Sequence, residues 1–307
     1  MKMDKSALNR RNFITKATVG TLGAAAILLK RRRRISPIRK RLNWKSHVKQ
    51  LISETQFSRM YRMKYASFIK LFKLLSPMLQ VDPVQGSRRS RNMGHVSAEL
   101  IIHCLLRYLA GGSHHDIRVL AGIGKSTFFS CLHRAIDAVN KCNALALSFP
   151  KDAAGLKELA LDFQSKSSNG TLDGCVGALD GWLCRIKVPL GKDTSNIASY
   201  YSGHYQCHGV NIQAVCDARC RFTYMSCRSP GGTGDSRAFQ GTALNYFLQE
   251  IPRGFYVVGD SAYTLSSSLL VPYSGVVKKR KDNDVFNFHL SQLRIKIEQA
   301  FGFLVNK

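Results

Sequence analysis

The sequence predicts an α/β layered domain in its second half, preceded by an all-helical region, and three observations carry that prediction. From about Trp44 to Cys142 apolar residues recur at three- and four-residue steps, the period of a helix. Beyond Asp173 the pattern changes to short apolar runs broken by Gly, Asp and Ser, which is how strands and their turns read. The segment from Leu290 to Val305 then returns to helical spacing, with Leu293, Ile297, Ala300, Phe301 and Leu304 on one stripe. Strands with helices around them imply layers packed on a shared core, and 307 residues at 45% hydrophobic can fill one. The organisation expected is a basic leader over 1–50 without stable structure, a helical region over 51–150, and the α/β domain over 151–307.

The leader carries two competing address labels. "NRRNFITKA" followed by the apolar stretch from Ala17 to Leu29 has the order of a twin-arginine export signal. That stretch is about 13 residues, where a membrane span needs roughly 20. It runs into five consecutive cations, Lys30 to Arg34, where small residues of a cleavage site belong, and Arg39, Lys40 and Arg41 follow. Basic runs of this kind serve nuclear import or contact phosphates. Nine cysteines, an odd number with no CxxC pair, point to a reducing compartment. The expected location is the nucleus, with export or membrane association as the alternative carried by the leader alone.

Charge narrows the partner. Forty-six Lys and Arg against 19 Asp and Glu leave a formal net charge of +27, which calls for a polyanion. Coulomb attraction does not distinguish DNA from RNA or an anionic membrane.

In the helical region, "YASFIKLFKLLSPML" places Phe68, Leu71, Phe72, Leu75 and Leu79 on one face. The polar linker "DPVQGSRRSRNMG" brings Arg88, Arg89 and Arg91, candidates for a phosphate backbone and equally a solvated loop. The following stretch predicts a helix, a glycine turn, a short helix, a second turn at Gly122 to Gly124, and a helix from near Ser126. That order suits a helix-turn-helix, with Lys125, Ser126 and Thr127 at the start of the helix that meets DNA; an ordinary helical bundle fits the same residues. "GIGKST" is not a phosphate loop, because the position that needs its first glycine is Val119 and no strand precedes it.

In the second half, "DGCVGALDGWLCRIKVP" reads as a strand, residues 208–232 as two antiparallel strands around a turn at Asp217 to Arg219, and "FYVVGDSAY" as a strand ending in Gly-Asp. Three scarce carboxylates fall where chemistry would use them: Asp180 within the first strand, Asp260 at the end of the last, and Glu298 beside the stripe of the closing helix. Converging carboxylates repel unless a cation neutralises them, and hard oxygen donors suit Mg²⁺ or Mn²⁺. Two such ions about 4 Å apart would activate water on one side of a phosphodiester and stabilise the leaving oxygen on the other. Each acid also has a structural reading: Asp180-Gly181 as a hairpin turn, Asp260-Ser261 as the cap of a helix near Leu265, and Glu298 as the partner of Arg294 one turn earlier.

Taken in order, "GALDGW", "YYSGHYQCHGVNIQAVCDARCRF", "SPGGTGDSRAF", "VVGDSAYTLSSSLLVPY" and "FNFHLSQLRIKIEQAFGFLVNK" resemble the blocks of the PIF/Harbinger transposases and the nucleases derived from them, over roughly residues 60 to 307. The resemblance implies an RNase H-like catalytic domain, a mixed sheet flanked by helices, behind a helix-turn-helix. It implies a DNA endonuclease dependent on a divalent cation, Mg²⁺ or Mn²⁺, with Asp180, Asp260 and Glu298 as catalytic acids and Asp235 as a further acid that binds metal or orders the site. It also implies DNA as substrate and a separate Myb-like DNA-binding partner. Two departures stand out. Trp182 and Leu183 follow Asp-Gly where the family has a small residue and His, and Lys307 lies nine residues after Glu298, short of the family's further helices. The expectation is therefore a C-terminally truncated transposase or its derivative, with an inert DNA-binding remnant as the alternative.

Overall fold

The computed structural model describes residues 39–82, 84–85, 95–275, 278 and 280–305. The chain divides into two compact units, one of residues up to Phe57 with Leu79–Ala135, the other of Ser58–Met78 with Ile136–Lys307.

The first unit is helical. Helix α1 (Trp44–Ser53) starts at Asn43, whose side chain accepts from the Ser46 amide, and buries Val48 and Leu51. An N-cap of this kind satisfies one of the amide donors that the first turn leaves free. The short helix α2 (Phe57–Tyr61) and helix α3 (Tyr65–Leu79) follow and fall almost wholly in the second unit; Phe68, Leu75 and Leu79 of the predicted stripe are fully buried. Next come α4 (Ala98–Leu109), α5 (His114–Leu120) and α6 (Lys125–Lys141), in the predicted order. Seven consecutive residues of α4, Leu100 to Leu106, are buried, so this helix is enclosed on more than one face. His103 is among them, its ring edge-on to Trp44 and His47. Gly122 adopts φ 65°, and a Cβ there would collide with the Lys40 carbonyl, so the α5–α6 turn fits only glycine beneath the segment entering α1.

In the second unit, α7 (Ala153–Gln164) is capped by Asp152, and the sheet is built from β1 (Cys175–Arg185), β2 (Tyr201–Ser202), β3 (Cys207–Cys216), β4 (Phe222–Pro230), β5 (Tyr256–Val258) and β6 (Leu269–Leu270). Strand order is β2-β3-β1-β5-β6, with β4 also on β3; β1, β3 and β4 are antiparallel neighbours, while β5 and β6 run parallel to β1. The predicted hairpin turn is held by buried Asp217, whose Oδ1 accepts from the amides of Arg219 and Arg221 and whose Oδ2 pairs with the Arg221 guanidinium at 2.7 Å.

Helices cover both faces. On one, α7 and the short helices α8 (Asp235–Gln240) and α9 (Ala243–Gln249) pack Leu156, Leu159, Phe239, Leu244 and Leu248 onto Leu179, Val215 and Val257. On the other, α10 (Lys281–Val305) lays Leu290, Leu293, Ile297, Ala300 and Phe301 over Ala178, Ala214 and Val258. A mixed sheet with this order and helices on both sides is the RNase H-like architecture implied by the resemblance. The closing helix begins at Lys281, nine residues before the expected start. Asp282 and Asp284 in its first turn favour helix without an apolar stripe, because negative charge offsets the positive end of the helix dipole.

Candidate active site

Strand alternation places the acids. Leu179 and Gly181 face α7–α9, whereas Ala178, Asp180 and Trp182 face α10, with the Trp182 ring 5.9 Å from that of Phe301. Asp180 sits in mid-strand opposite Ala214, so the hairpin-turn reading of Asp180-Gly181 does not hold. Its Oδ1 accepts from the Gly181 amide at 2.8 Å. Burial pushes the carboxyl up to about 6; Asp260 and Asp235 add to the rise, and the Gly181 amide and Arg294 oppose it.

Asp260 lies two residues beyond β5, its Oδ1 accepting from the Ala262 amide at 2.9 Å. No helix follows near Leu265; the chain turns and enters β6, so Asp260 caps a turn.

Asp235 reaches β1 from the opposite face of the sheet. Its Oδ1 accepts from Asn211 Nδ2 at 2.9 Å and from Gln213 Nε2 at 3.0 Å, and it lies over Gly181. Gln213 in turn donates to Asn211 Oδ1 at 2.7 Å and accepts from the Tyr263 hydroxyl at 2.7 Å. Tyr263 is buried, and burial followed by the charges of Asp235, Asp180 and Asp260 holds its hydroxyl firmly protonated. One amide thus ties Asp235 to the residue three positions after Asp260. Asn211, Gln213 and Tyr263 were not singled out by the sequence. The available signal was two amides at alternate positions of an otherwise apolar strand, where a buried polar group needs a partner.

Glu298 is half-exposed on α10 and pairs with Arg294 at 2.9 Å, as its structural reading expected. Arg294 therefore serves both acids, pairing with Glu298 and lowering the proton affinity of Asp180. The charges of Asp260 and Asp235 both act on Asp180. Among the described residues, however, no three His, Cys, Asp or Glu side chains are grouped closely enough to hold a metal ion. By its chemistry the donor set of Asp180 and Asp260 still fits a hard divalent cation, since all its ligand atoms are carboxylate oxygens and Asp180 gains from an added positive charge.

In the first unit, Lys125, Ser126 and Thr127 form the exposed first turn of α6. Arg88, Arg89 and Arg91, and the leader through residue 38, lie outside the described residues.

A central strand bearing one acid, a parallel neighbour followed two residues later by a second, and a covering helix bearing a third are set on an RNase H-like frame. Residues 179–307 match the family described as DDE superfamily endonuclease, and a domain of that kind is found there. The matched stretch begins one residue before Asp180 and takes in Asp235, Asp260 and Glu298. No curated protein and no solved structure matches the chain.

Proposed function

We propose that the protein is a metal-dependent DNA endonuclease of the Harbinger transposase type. The observation that carries this reading is the coupling of Asp180 with Asp260 within a domain similar to DDE superfamily endonucleases. Asp180 and Asp260 hold the divalent cation, which when bound supplies the activation of water and the stabilisation of the leaving oxygen. Asp180 offers its carboxylate from the rigid centre of the sheet. Asp235, through Gln213 and Tyr263, fixes the loop that carries Asp260. Glu298 turns from Arg294 to complete the acid set when DNA and cation are present.

DNA is held by charge. Lys125, Ser126 and Thr127 present donors at a helix start, where backbone amides also favour phosphate, and Arg88, Arg89 and Arg91 with the basic leader add cations. A Myb-like partner supplies further sequence recognition, and the basic runs direct the protein to the nucleus.

The engagement of Glu298 by Arg294 favours a second reading, a DNA-binding protein without nuclease activity. Purified protein incubated with supercoiled plasmid at low salt, with Mg²⁺, Mn²⁺ or chelator, separates the two. Nicking that needs metal and disappears in both Asp180→Ala and Asp260→Ala supports the nuclease. Plasmid binding without nicking leaves the second reading standing.

A further inference from the structure

On the face of the sheet covered by α8 and α9, next to Asp235, a cleft of ≈ 330 Å³ opens between α8, α9 and the segment from Thr264 to Leu269. Its two walls start at the residues that follow Asp235 and Tyr263, since Ser236 Oγ and Thr264 Oγ1 lie 3.3 Å apart in a hydrogen bond. The cleft therefore shares its frame with the active-site segments.

The lining defines what it takes. Phe239, Leu248 and Leu269, each at most 4% exposed, give it an apolar floor. The exposed side-chain amides of Gln240 and Gln249 stand on its walls, with no hydrogen bond to another of the described residues. None of the lining residues is charged, in a chain with 46 Lys and Arg. A phosphate would go where cations are, so the cleft suits an uncharged ligand with an apolar body and a hydrogen-bonding edge. Among the parts of a nucleic acid only the base has that chemistry, and Asn and Gln amides match its paired donors and acceptors.

We propose that this cleft is a base-binding subsite, which takes one unstacked base of the DNA strand whose phosphate is cut at Asp180 and Asp260. The inference rests on the reading of the domain as a DNA nuclease. A base inside a duplex cannot enter a cleft of this kind, so occupancy requires local unpairing, which is cheapest at mismatches and strand ends.

The test is equilibrium binding by fluorescence anisotropy, with the full chain in chelator at low salt. The probes are a short fluorescein-labelled DNA strand of mixed sequence and the same backbone made abasic throughout. The base-bearing strand is expected to bind about tenfold more tightly, the scale of one held base. The double variant Gln240→Leu/Gln249→Leu removes the amides, and Ser266→Trp fills the cleft from an exposed position. Each is expected to bring the ratio to within about twofold of unity while leaving abasic-strand affinity unchanged, because phosphate contacts are untouched. Equal binding of both probes by the wild type, or a preserved ratio in either variant, overturns the proposal. Because binding is read without metal, failure of the nuclease reading shows separately, as absent nicking with base discrimination intact.

Discussion

The Asp235 carboxylate occupies the space that a side chain at position 181 would fill. A Cβ on Gly181 would overlap that carboxylate and come 2.8 Å from Gln213 Nε2. The glycine after Asp180 is thus a packing requirement in mid-strand rather than a turn signal. Gly181→Ala is expected to lower stability by about 1–3 kcal/mol, the usual cost of overpacking, and to displace Asp235 from Asn211 and Gln213. In a double-mutant cycle measured by denaturant unfolding, Asp235→Ala should relieve much of that cost. Strictly additive effects would mean that the two positions do not compete for space.

Tyr263 and Gln213 give the second prediction. Tyr263→Phe leaves the apolar packing in place but removes the donor to Gln213 Oε1, stranding a buried acceptor. The expected loss is about 1–3 kcal/mol. Gln213→Leu in the Tyr263→Phe background should cost a further amount of about 1 kcal/mol at least, since it also removes the donor to Asn211 Oδ1 and Asp235 Oδ1. Unfolding midpoints of the wild type and the two variants decide this, and a Tyr263→Phe protein as stable as wild type would refute it.

The parts of the fold that were legible in the sequence are those whose signal is local. The stripe of Phe68, Leu75 and Leu79, the hairpin at Asp217 and the order of α4, α5 and α6 all follow from spacing within one segment. Helix α10 was legible only in its apolar half; Lys281 to His289 expose Val285 and Phe288 and carry no stripe. The site divides the same way. Asp180 and Asp260 stand out as acids in apolar runs, whereas the bond from Gln213 to Asp235 joins residues 22 positions apart and exists only once the sheet and α8 are in place. The choice of Glu298 between Arg294 and Asp180 is a matter of side-chain orientation, on which periodicity is silent.

Asp180 makes stability depend on pH. Its folded-state value of about 6 lies above the 3.8 of a free carboxyl, so between those values the folded protein keeps a proton that the unfolded chain has released. Stability therefore falls as pH rises through that window, by on the order of 2 kcal/mol after allowance for partial exposure, and stays lower above it. Asp180→Asn should abolish that part of the profile and melt higher than wild type at pH 7.5. Mg²⁺ or Mn²⁺ should raise the wild-type melting temperature there, and chelator should reverse the gain, with neither effect in the variant. Parallel pH profiles for the two proteins would count against a desolvated Asp180.

His103 sets the opposite dependence in the first unit. Burial, then the charges of His47 and Arg107, lower it from 6.5 to about 3. Between those values the unfolded chain binds a proton that the folded one refuses, so its stabilising contribution is full above pH 6.5 and is lost as pH falls. The expected loss is about 2 kcal/mol by pH 5. Hydrogen exchange of α4 amides at pH 7 and pH 5 reads it directly. His103→Gln should flatten the difference, and an unchanged slope in that variant would show that another group is responsible.

Glu298 and Arg294 provide the sharpest separation of a catalytic from a structural acid. As an i,i+4 pair with Glu298 half-exposed, they contribute at most about 0.5 kcal/mol, so Glu298→Gln should leave the melting temperature almost unmoved. If Glu298 completes the acid set, the same change should cut metal-dependent nicking on the order of a hundredfold or more, the penalty of a misplaced catalytic group. Arg294→Gln tests the other end of the pair. It frees Glu298 and removes a positive charge near Asp180, so Mn²⁺ should bind several-fold more tightly in calorimetric titration, since the site then carries more uncompensated negative charge. A Glu298→Gln protein that nicks plasmid at the wild-type rate would reduce Glu298 to a helix-surface partner of Arg294. Tighter Mn²⁺ binding in Arg294→Gln together with dead Glu298→Gln would instead identify the arginine as the cation that metal must displace.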